Sequence, residues 1–385
     1  MIIAIDARSL ENSKTGVGRY LTGLLGCWKS KKEHKFILYF KDEIPNSNLL
    51  KSDNFELKLL KNPFRFSSNF FFQHFQLPYQ FKKDKIDFFF SPFYLKPLYC
   101  PVQSSVVLHD ISYEVHPEWF DFKSQFILKI FSRLSARTAN LIFTVSNYSK
   151  DEIMKFYNID SGNITVAHLA PNYSFVKIDD LEKIKILKDK HGLNKFILCI
   201  GSIFNRRHIP EIIMAFEKIV KEYKDYQLLI IGKNHTYPLI NIKDKIKTVN
   251  NNFGRNVIKH LDFVEEEDLL AFYSSCEVNI YLSDYEGFGL PVIEAQFFGK
   301  PVITSYNSSL IEVGGDSVEF VRENNVEYVY NSLKKIISDK DYRNRLVKLG
   351  DENVKRFNWK KCAEETLDKI LNREAGANGS NNLAI

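Results

Sequence analysis

Two α/β domains, each built on a parallel sheet wrapped by helices, are what this sequence predicts. Short apolar runs of strand length alternate with longer segments of helical period, which is the pattern of a parallel sheet with helices on both faces. The alternation halts once, near 173–194, and then restarts. At 385 residues the chain is also too long for one ordinary core.

In the first half, Ile2-Ile3-Ala4-Ile5, Phe36 to Phe40, Phe88-Phe89-Phe90, Val106-Val107-Leu108 and Leu141 to Val145 read as strands buried on both faces. Arg19 to Trp28, Lys123 to Ala136 and Lys150 to Phe156 read as the helices between them. The charged segment Asp179 to His191 follows, as part of a linker. The second half has strands at Phe196 to Ile200, Gln227 to Ile231, Val257 to His260, Val278 to Tyr281 and Pro301 to Ile303. Its clearest helices are Pro210 to Lys221, Glu266 to Ser274 and Pro291 to Phe298. The expected domains are 1–175 and 190–360, with a last helix at about 360–373 returning to the first domain and a flexible tail at 374–385.

The hydrophobic share of 44% against 26% charged residues is that of a globular chain and not a disordered one. Cys27, Cys100, Cys199, Cys276 and Cys362 are scattered and form no Cys-x-x-Cys, which argues against a disulfide framework or a zinc site. The start, MIIAIDARSL, makes a poor signal peptide, and no apolar run reaches the roughly 18 residues of a membrane span. A cytoplasmic location is expected. The net charge of +6 suits an anionic membrane surface or a phosphate-bearing substrate, and equally an ordinary solvated surface. No nucleic-acid motif stands out.

The strongest chemical signal is Glu286-Gly287-Phe288-Gly289-Leu290-Pro291-Val292-Ile293-Glu294, which follows a strand and opens a helix. Glycines let the backbone approach a ligand, and the N–H groups of a helix start attract an anion. The segment therefore suits a diphosphate with a carboxylate on each side. Glu294, about one turn into the helix, can accept from a ribose diol, and Glu286 can touch a sugar hydroxyl. After the strand ending near Ile200 come Gly201, Ser202 and the pair Arg206-Arg207, fit for bidentate contact with phosphate. Phe263 and Val264, after the strand Val257 to His260, join the same expected nucleotide-sugar site.

Gly16 and Gly18 open the first helix, but a dinucleotide fingerprint would want glycine where Leu21 stands and an acid ending the second strand. His109, followed by Asp110, ends a strand of the first domain and would face its cleft. His116, His168 and His208 read as structural. No Asp-x-Asp follows an early strand, and there is no HExxH or Cys/His cluster, so no metal cofactor is expected. Two aromatic-basic stretches, Pro63 to Phe75 and Phe120 to Arg137, remain. In the second, Phe122, Phe126, Ile130, Phe131 and Leu134 line one helix face, with Lys123, Lys129, Arg133 and Arg137 elsewhere. That face is expected to pack on a sheet, the alternative being a membrane interface.

The Glu-x7-Glu segment with GFGLP inside resembles the signature of family-4 retaining glycosyltransferases of the GT-B fold. Ala4-Ile5-Asp6-Ala7-Arg8 with Thr15-Gly16-Val17-Gly18-Arg19-Tyr20 resembles their N-terminal glycine loop, and His109-Asp110 their acceptor-side histidine. Thr144-Val145-Ser146-Asn147, Gly201 to Arg207, Pro301 to Ser305 and Glu312-Val313-Gly314-Gly315-Asp316 follow in the same order. The departure is Arg206-Arg207-His208, where many relatives carry Arg-Lys-Asn.

The resemblance implies two doubly wound Rossmann-like domains facing across a cleft, with acceptor in the first and nucleotide sugar in the second. It implies transfer of a hexose, mannose being the first guess, from a nucleotide-diphosphate sugar to a saccharide or lipid-linked acceptor. Surface polysaccharide or lipopolysaccharide assembly is the expected setting, with peripheral membrane contact as an accompanying expectation. His109, Asp110, Glu286, Arg206 and Arg207 are the expected catalytic groups, and Gly16, Gly18, Gly201, Ser202, Phe263, Val264, Gly287, Phe288, Gly289, Leu290 and Glu294 would complete the donor site. A nucleotide-sugar epimerase or phosphorylase on a related fold and an inactive sugar-nucleotide scaffold are the competing readings.

Overall fold

The computed structural model describes residues 1–11, 15–61, 68–172, 175–178 and 180–380, with side chains as far as 372. It divides into two compact units, Met1–Tyr173 with Asn358–Ile385, and Ser174–Phe357.

The first unit holds a sheet of seven strands, all paired in parallel: β1 Ile2–Asp6, β2 Lys35–Phe40, β3 Phe55–Leu59, β4 Phe88–Ser91, β5 Gln103–Val107, β6 Leu141–Thr144 and β7 Ile164–Val166. Their spatial order is β3-β2-β1-β4-β5-β6-β7. One face packs Ala4, Ile37 and Phe89 against Leu77 and Phe81 and, further along the sheet, Val106 and Ile142 against Ile153 and Tyr157; on the other face Phe36 and Phe90 meet Trp28. The final helix, Trp359–Ser380, lies on the helix Gly16–Trp28. Gly23 makes this approach possible, because a methyl group there would sit 2.3 Å from the Trp359 ring. Trp28 Nε1 donates to the Ala363 carbonyl at 3.0 Å, and Trp359 Nε1 to that of Pro171 at 2.7 Å.

The second unit holds six strands, again all parallel: β8 Lys195–Ile200, β9 Tyr226–Ile231, β10 Ile258–Leu261, β11 Val278–Tyr281, β12 Val302–Ser305 and β13 Glu319–Val321, in the order β10-β9-β8-β11-β12-β13. Ile212, Phe216 and Ile219 recur at helical spacing on Ile209–Glu222 and pack on Ile197, Leu228, Ile230 and Ile280.

Several expectations are corrected. Strands β3, β7 and β13 carry no long apolar run and were not predicted. The expected strand Val106 to Leu108 is β5, displaced to Gln103–Val107, so His109 stands in the following loop and does not end the strand. The linker contains a helix, Leu181–Lys190, whose start is capped by Asp180 accepting from the N–H groups of Glu182 and Lys183. Asp179 lies outside the described residues. The last helix continues to Ser380 where a tail was expected from 374; Glu374, Ala375 and Ala377 favour helix and no proline stops it, while 381–385 lie outside the described residues. The aromatic face of Phe122–Thr138 does not pack on the sheet: Phe122 is 82% exposed and Phe126 53%. Of the other aromatic-basic stretch, 62–67 lie outside the described residues.

Gly23→Ala is expected to destabilise the first unit by about 1–3 kcal/mol, the usual cost of overpacking a filled contact. Urea unfolding followed by Trp fluorescence checks this, and an unchanged midpoint would mean that the two helices are not held by this contact.

Candidate active site

In the second sheet the winding reverses between β8 and β11, with β9 and β10 on one side and β12 and β13 on the other. Loops leaving the C-terminal ends of two such strands diverge and open a crevice where ligands bind in α/β folds. Most of the donor-site residues read from the sequence lie on these two loops.

Strand β8 runs into Gly201, whose φ of 125° suits glycine, and a turn at Asn205–Arg207 leads to the helix Ile209–Glu222. Between them His208 is left-handed, with φ of 52°. Asn and His tolerate that conformation better than most residues, which accounts for His where the resembled pattern has Asn. His208 Nε2 lies 2.6 Å from Asp284 Oδ1, and the Asp284 N–H donates to the Arg206 carbonyl at 3.1 Å. The loops after β8 and β11 are thereby clamped together.

Arg207 is the inner of the two arginines. Its guanidinium carbon lies 4.0 Å from the centroid of the Tyr281 ring, and its Nη1 is 3.2 Å from Glu286 Oε1. Arg206 Nε is 3.8 Å from the same oxygen, and its guanidinium covers the Phe204 ring at 4.8 Å. Burial opposes the Arg207 charge, but Glu286 and Tyr281 more than offset it and hold its pKa above the ordinary value. Burial likewise raises the Tyr281 phenol, and it pushes the Cys199 thiol up to about 12. Arg207 is thus a fixed cation beside a neutral phenol and thiol, sharing one carboxylate with Arg206. Its Nε and Nη1, and Glu286 Oε1, are buried without a hydrogen-bond partner. A ligand bringing anionic oxygens and hydroxyls would satisfy them.

The glycine loop is held from below. The Glu286 N–H donates to Ser308 Oγ at 3.1 Å, and Ser309 Oγ donates to the carbonyls of Glu286 and Phe288 at 2.8 and 2.9 Å. Gly289, with φ of 103°, caps the helix Leu290–Phe297, and a methyl there would lie 2.6 Å from Leu310 Cδ2. Pro291 falls in the first turn, where its missing N–H is not needed. Glu294 is 2% exposed and its Oε2 accepts from the Tyr273 hydroxyl at 3.0 Å. Ser202 is exposed beside Gly201. Phe263 and Val264 lie in the loop after β10, two strands away from β8.

The first sheet reverses its winding between β1 and β4. Thr15 Oγ1 caps the helix Gly16–Trp28 by accepting from the Gly18 N–H at 3.1 Å, and a methyl on Gly16 would meet nothing within 4 Å. Backbone there is open to close approach. Residues 12–14 of the same loop lie outside the described residues. His109 Nε2 lies 3.0 Å from the Pro92 carbonyl, in the loop after β4, and Tyr20 meets its ring edge-on at 5.0 Å. A carbonyl can only accept, so Nε2 carries the proton and Nδ1 of the neutral ring is the acceptor. Burial lowers the His109 pKa, and the Pro92 carbonyl recovers only part of the shift. Asp110 Oδ1 accepts from Ser112 N–H and Oγ at 2.8 and 2.7 Å, where the short helix Ser112–Val115 begins.

Sequence reasoning missed Tyr281, Ser308 and Ser309. Tyr281 ends a run already read as a strand, at the end that faces ligands; Asn307-Ser308-Ser309, after the next strand, is a helix-start signal.

Residues 182–352 match the family model described as glycosyl transferases group 1. The chain is 29% identical over 268 residues to O-antigen chain mannosyltransferase B of Escherichia coli, covering 68% of each. It is 27% identical over 235 residues to the serotype-specific mannosyltransferase WbdA of Escherichia coli, covering 60% of this chain and 28% of WbdA. Among solved structures, Anabaena Alr3699/HepE in complex with UDP and glucose matches with a TM-score of 0.71 at 17% identity, covering 96% of this chain and 98% of that one. That likeness shows the fold: each unit is Rossmann-like, as in GT-B proteins.

Because the folded state lowers the His109 pKa, its stabilising effect is complete above the unfolded value of about 6.5 and is lost as pH falls through the folded pKa. Stability should therefore decline below about pH 6.5, and His109→Gln should make that decline shallower. His34, His74 and His191, lowered by burial too, would carry the remainder. Urea midpoints across a pH series measure this; identical slopes in both proteins would show that His109 titrates normally.

Proposed function

We propose that this chain, whose residues 182–352 match the family model of glycosyl transferases group 1, moves a mannosyl group from a nucleoside diphosphate to a saccharide or lipid-linked saccharide hydroxyl during surface polysaccharide or lipopolysaccharide assembly. The observation that carries the reading is the Arg206–Arg207 pair gathered on Glu286 in the crevice between β8 and β11. The choice of mannose is supported by the names of the Escherichia coli relatives, two of which are mannosyltransferases. A nucleotide-sugar donor is supported by HepE, whose structure contains UDP and glucose.

In this reading the donor diphosphate lies over the start of Leu290–Phe297 and against both guanidinium groups. Glu294 takes the ribose and Glu286 a sugar hydroxyl. The acceptor hydroxyl attacks the anomeric carbon from the face that the diphosphate leaves, giving retention. Its proton passes to the departing phosphate oxygen. Negative charge grows on that oxygen as the glycosidic bond breaks, and Arg206 and Arg207 stabilise it, so the reaction needs no metal. His109, neutral with Nδ1 as acceptor, orients a sugar hydroxyl, and Asp110 holds the loop that carries it.

Steady-state kinetics with nucleoside diphosphate mannose, beside melting curves, test the role of the arginines. Arg206→Ala is expected to lower kcat by about 100-fold, close to 3 kcal/mol of barrier, with little change in Tm. Arg207→Lys should keep the charge, lose the fork, and retain part of the rate. Normal turnover in both variants would send the search for the catalytic cation to Lys233 and Arg19. Activity should also survive EDTA; loss that Mn²⁺ restores would overturn the metal-free mechanism.

Calorimetry with the free nucleoside diphosphate separates the two carboxylates. Glu294→Ala should weaken binding more than Glu286→Ala. Equal, wild-type-like affinities would rule out the ribose assignment.

A further inference from the structure

The helix Phe122–Thr138 in the first unit is turned inside out. Its protein-facing side is small and polar: Ser132, Ser135 and Ala136 are buried, Ser132 Oγ lies 2.7 Å from the Tyr157 hydroxyl, and Ser135 Oγ accepts from the Lys96 N–H at 3.1 Å. Its opposite side is apolar and exposed, with Phe122, Phe126, Ile127, Ile130 and Leu134 at 36 to 82% exposure. The surface continues onto the neighbouring segment Asn69–Lys83, where the Phe70 ring meets Phe131 at 6.4 Å and Phe75 and Tyr79 are exposed.

Within these two segments every charged residue is basic; the exposed Asp121, which caps the helix start, lies just outside. Phe122–Thr138 carries Lys123, Lys129, Arg133 and Arg137 and no acid, and Asn69–Lys83 carries Lys82 and Lys83 and no acid. Glu114, buried beneath the helix, pairs with Lys129 at 3.1 Å and Arg133 at 3.2 Å. Lys123 and Arg137 are exposed, Arg137 with its Nη2 donating to the Tyr157 carbonyl at 3.4 Å.

We propose that this face seats the first unit on an anionic lipid bilayer, with Phe122, Phe126 and Ile130 in the acyl boundary and Lys123 and Arg137 at the headgroups. Apolar side chains ringed by long cations on one face of a helix match that boundary. A second copy of the chain fits less well, because a two-fold contact would set this basic face against itself. The surface is also tied to the acceptor side. Asp110, next to His109, accepts from the N–H of Ser112, the first residue of the helix Ser112–Val115, and Glu114 of that short helix pairs with Lys129 and Arg133. A membrane-borne acceptor would thus arrive beside the loop that carries His109. The proposal rests on the transferase reading only for that last consequence.

Co-sedimentation with vesicles of phosphatidylcholine alone, or containing phosphatidylglycerol, reads binding without any substrate. The full chain should bind the anionic vesicles at least tenfold better than the neutral ones. Phe122→Ser/Phe126→Ser/Ile130→Ser and Lys123→Glu/Arg137→Glu should each reduce that binding by about tenfold or more, with turnover on a water-soluble acceptor unchanged. The proposal is overturned if the wild type ignores anionic vesicles, or if the variants bind as it does. It is equally overturned if light scattering shows a dimer that the triple variant dissociates. Vesicle binding without transfer to any acceptor would instead count against the transferase reading and leave the surface standing.

Discussion

Two guanidinium groups and one carboxylate share the crevice between β8 and β11, and the surrounding structure is arranged to keep them there. Arg207 lies on Tyr281, which ends β11, and is paired with Glu286 from the loop after β11. An ion pair this sheltered from water contributes little by itself, yet removing one partner is costly, because the other charge is left buried. The clamp of His208 on Asp284 and the seat of the Glu286 loop on Ser308 and Ser309 hold the two loops in register around the pair. Glu286 thereby keeps two arginines in place and leaves the cluster with a net positive charge. That is the local charge a diphosphate needs.

Both units reach this kind of site through the same topological device. Where the strand order reverses, adjacent strands send their loops in opposite directions, and the space between them cannot be filled by either. In the first unit the loops after β4 and β5 bring together Pro92 and His109; in the second, those after β8 and β11 bring together Arg207 and Glu286. The chemistry differs because the loops differ. Neutral groups and a hydrogen-bonded carboxylate dominate the first, and fixed charge dominates the second.

Much of this was legible in the sequence, and the failures share a cause. An apolar run marks a strand covered on both faces, so β1, β2, β4, β8, β9 and β11 could be read. The three strands missed, β3, β7 and β13, are all sheet edges, where side chains are only partly covered and mixed composition is tolerated. At the site the residue types were legible: Glu-x7-Glu around a glycine loop that opens a helix, and a double Arg after a strand. Their partnerships were not legible. That Arg207 rests on Tyr281, or that His208 is left-handed, depends on strands 80 residues apart in sequence meeting side by side, as Cys199 and Ile280 do.

The helix Phe122–Thr138 shows a different limit, and a remedy. A hydrophobic period of 3.6 says that a helix has two unlike faces; it does not say which of them the protein covers. The apolar face was therefore given to the sheet. The opposite face held the deciding information. Ser132, Ser135 and Ala136, spaced three and four apart, are small enough to let the helix approach the unit closely, and the two serine hydroxyls find partners in Tyr157 and the Lys96 N–H. Where small residues recur on one side of an amphipathic helix and large aromatics mixed with Lys and Arg on the other, close approach favours burying the small side. The large side is then left for a different solvent.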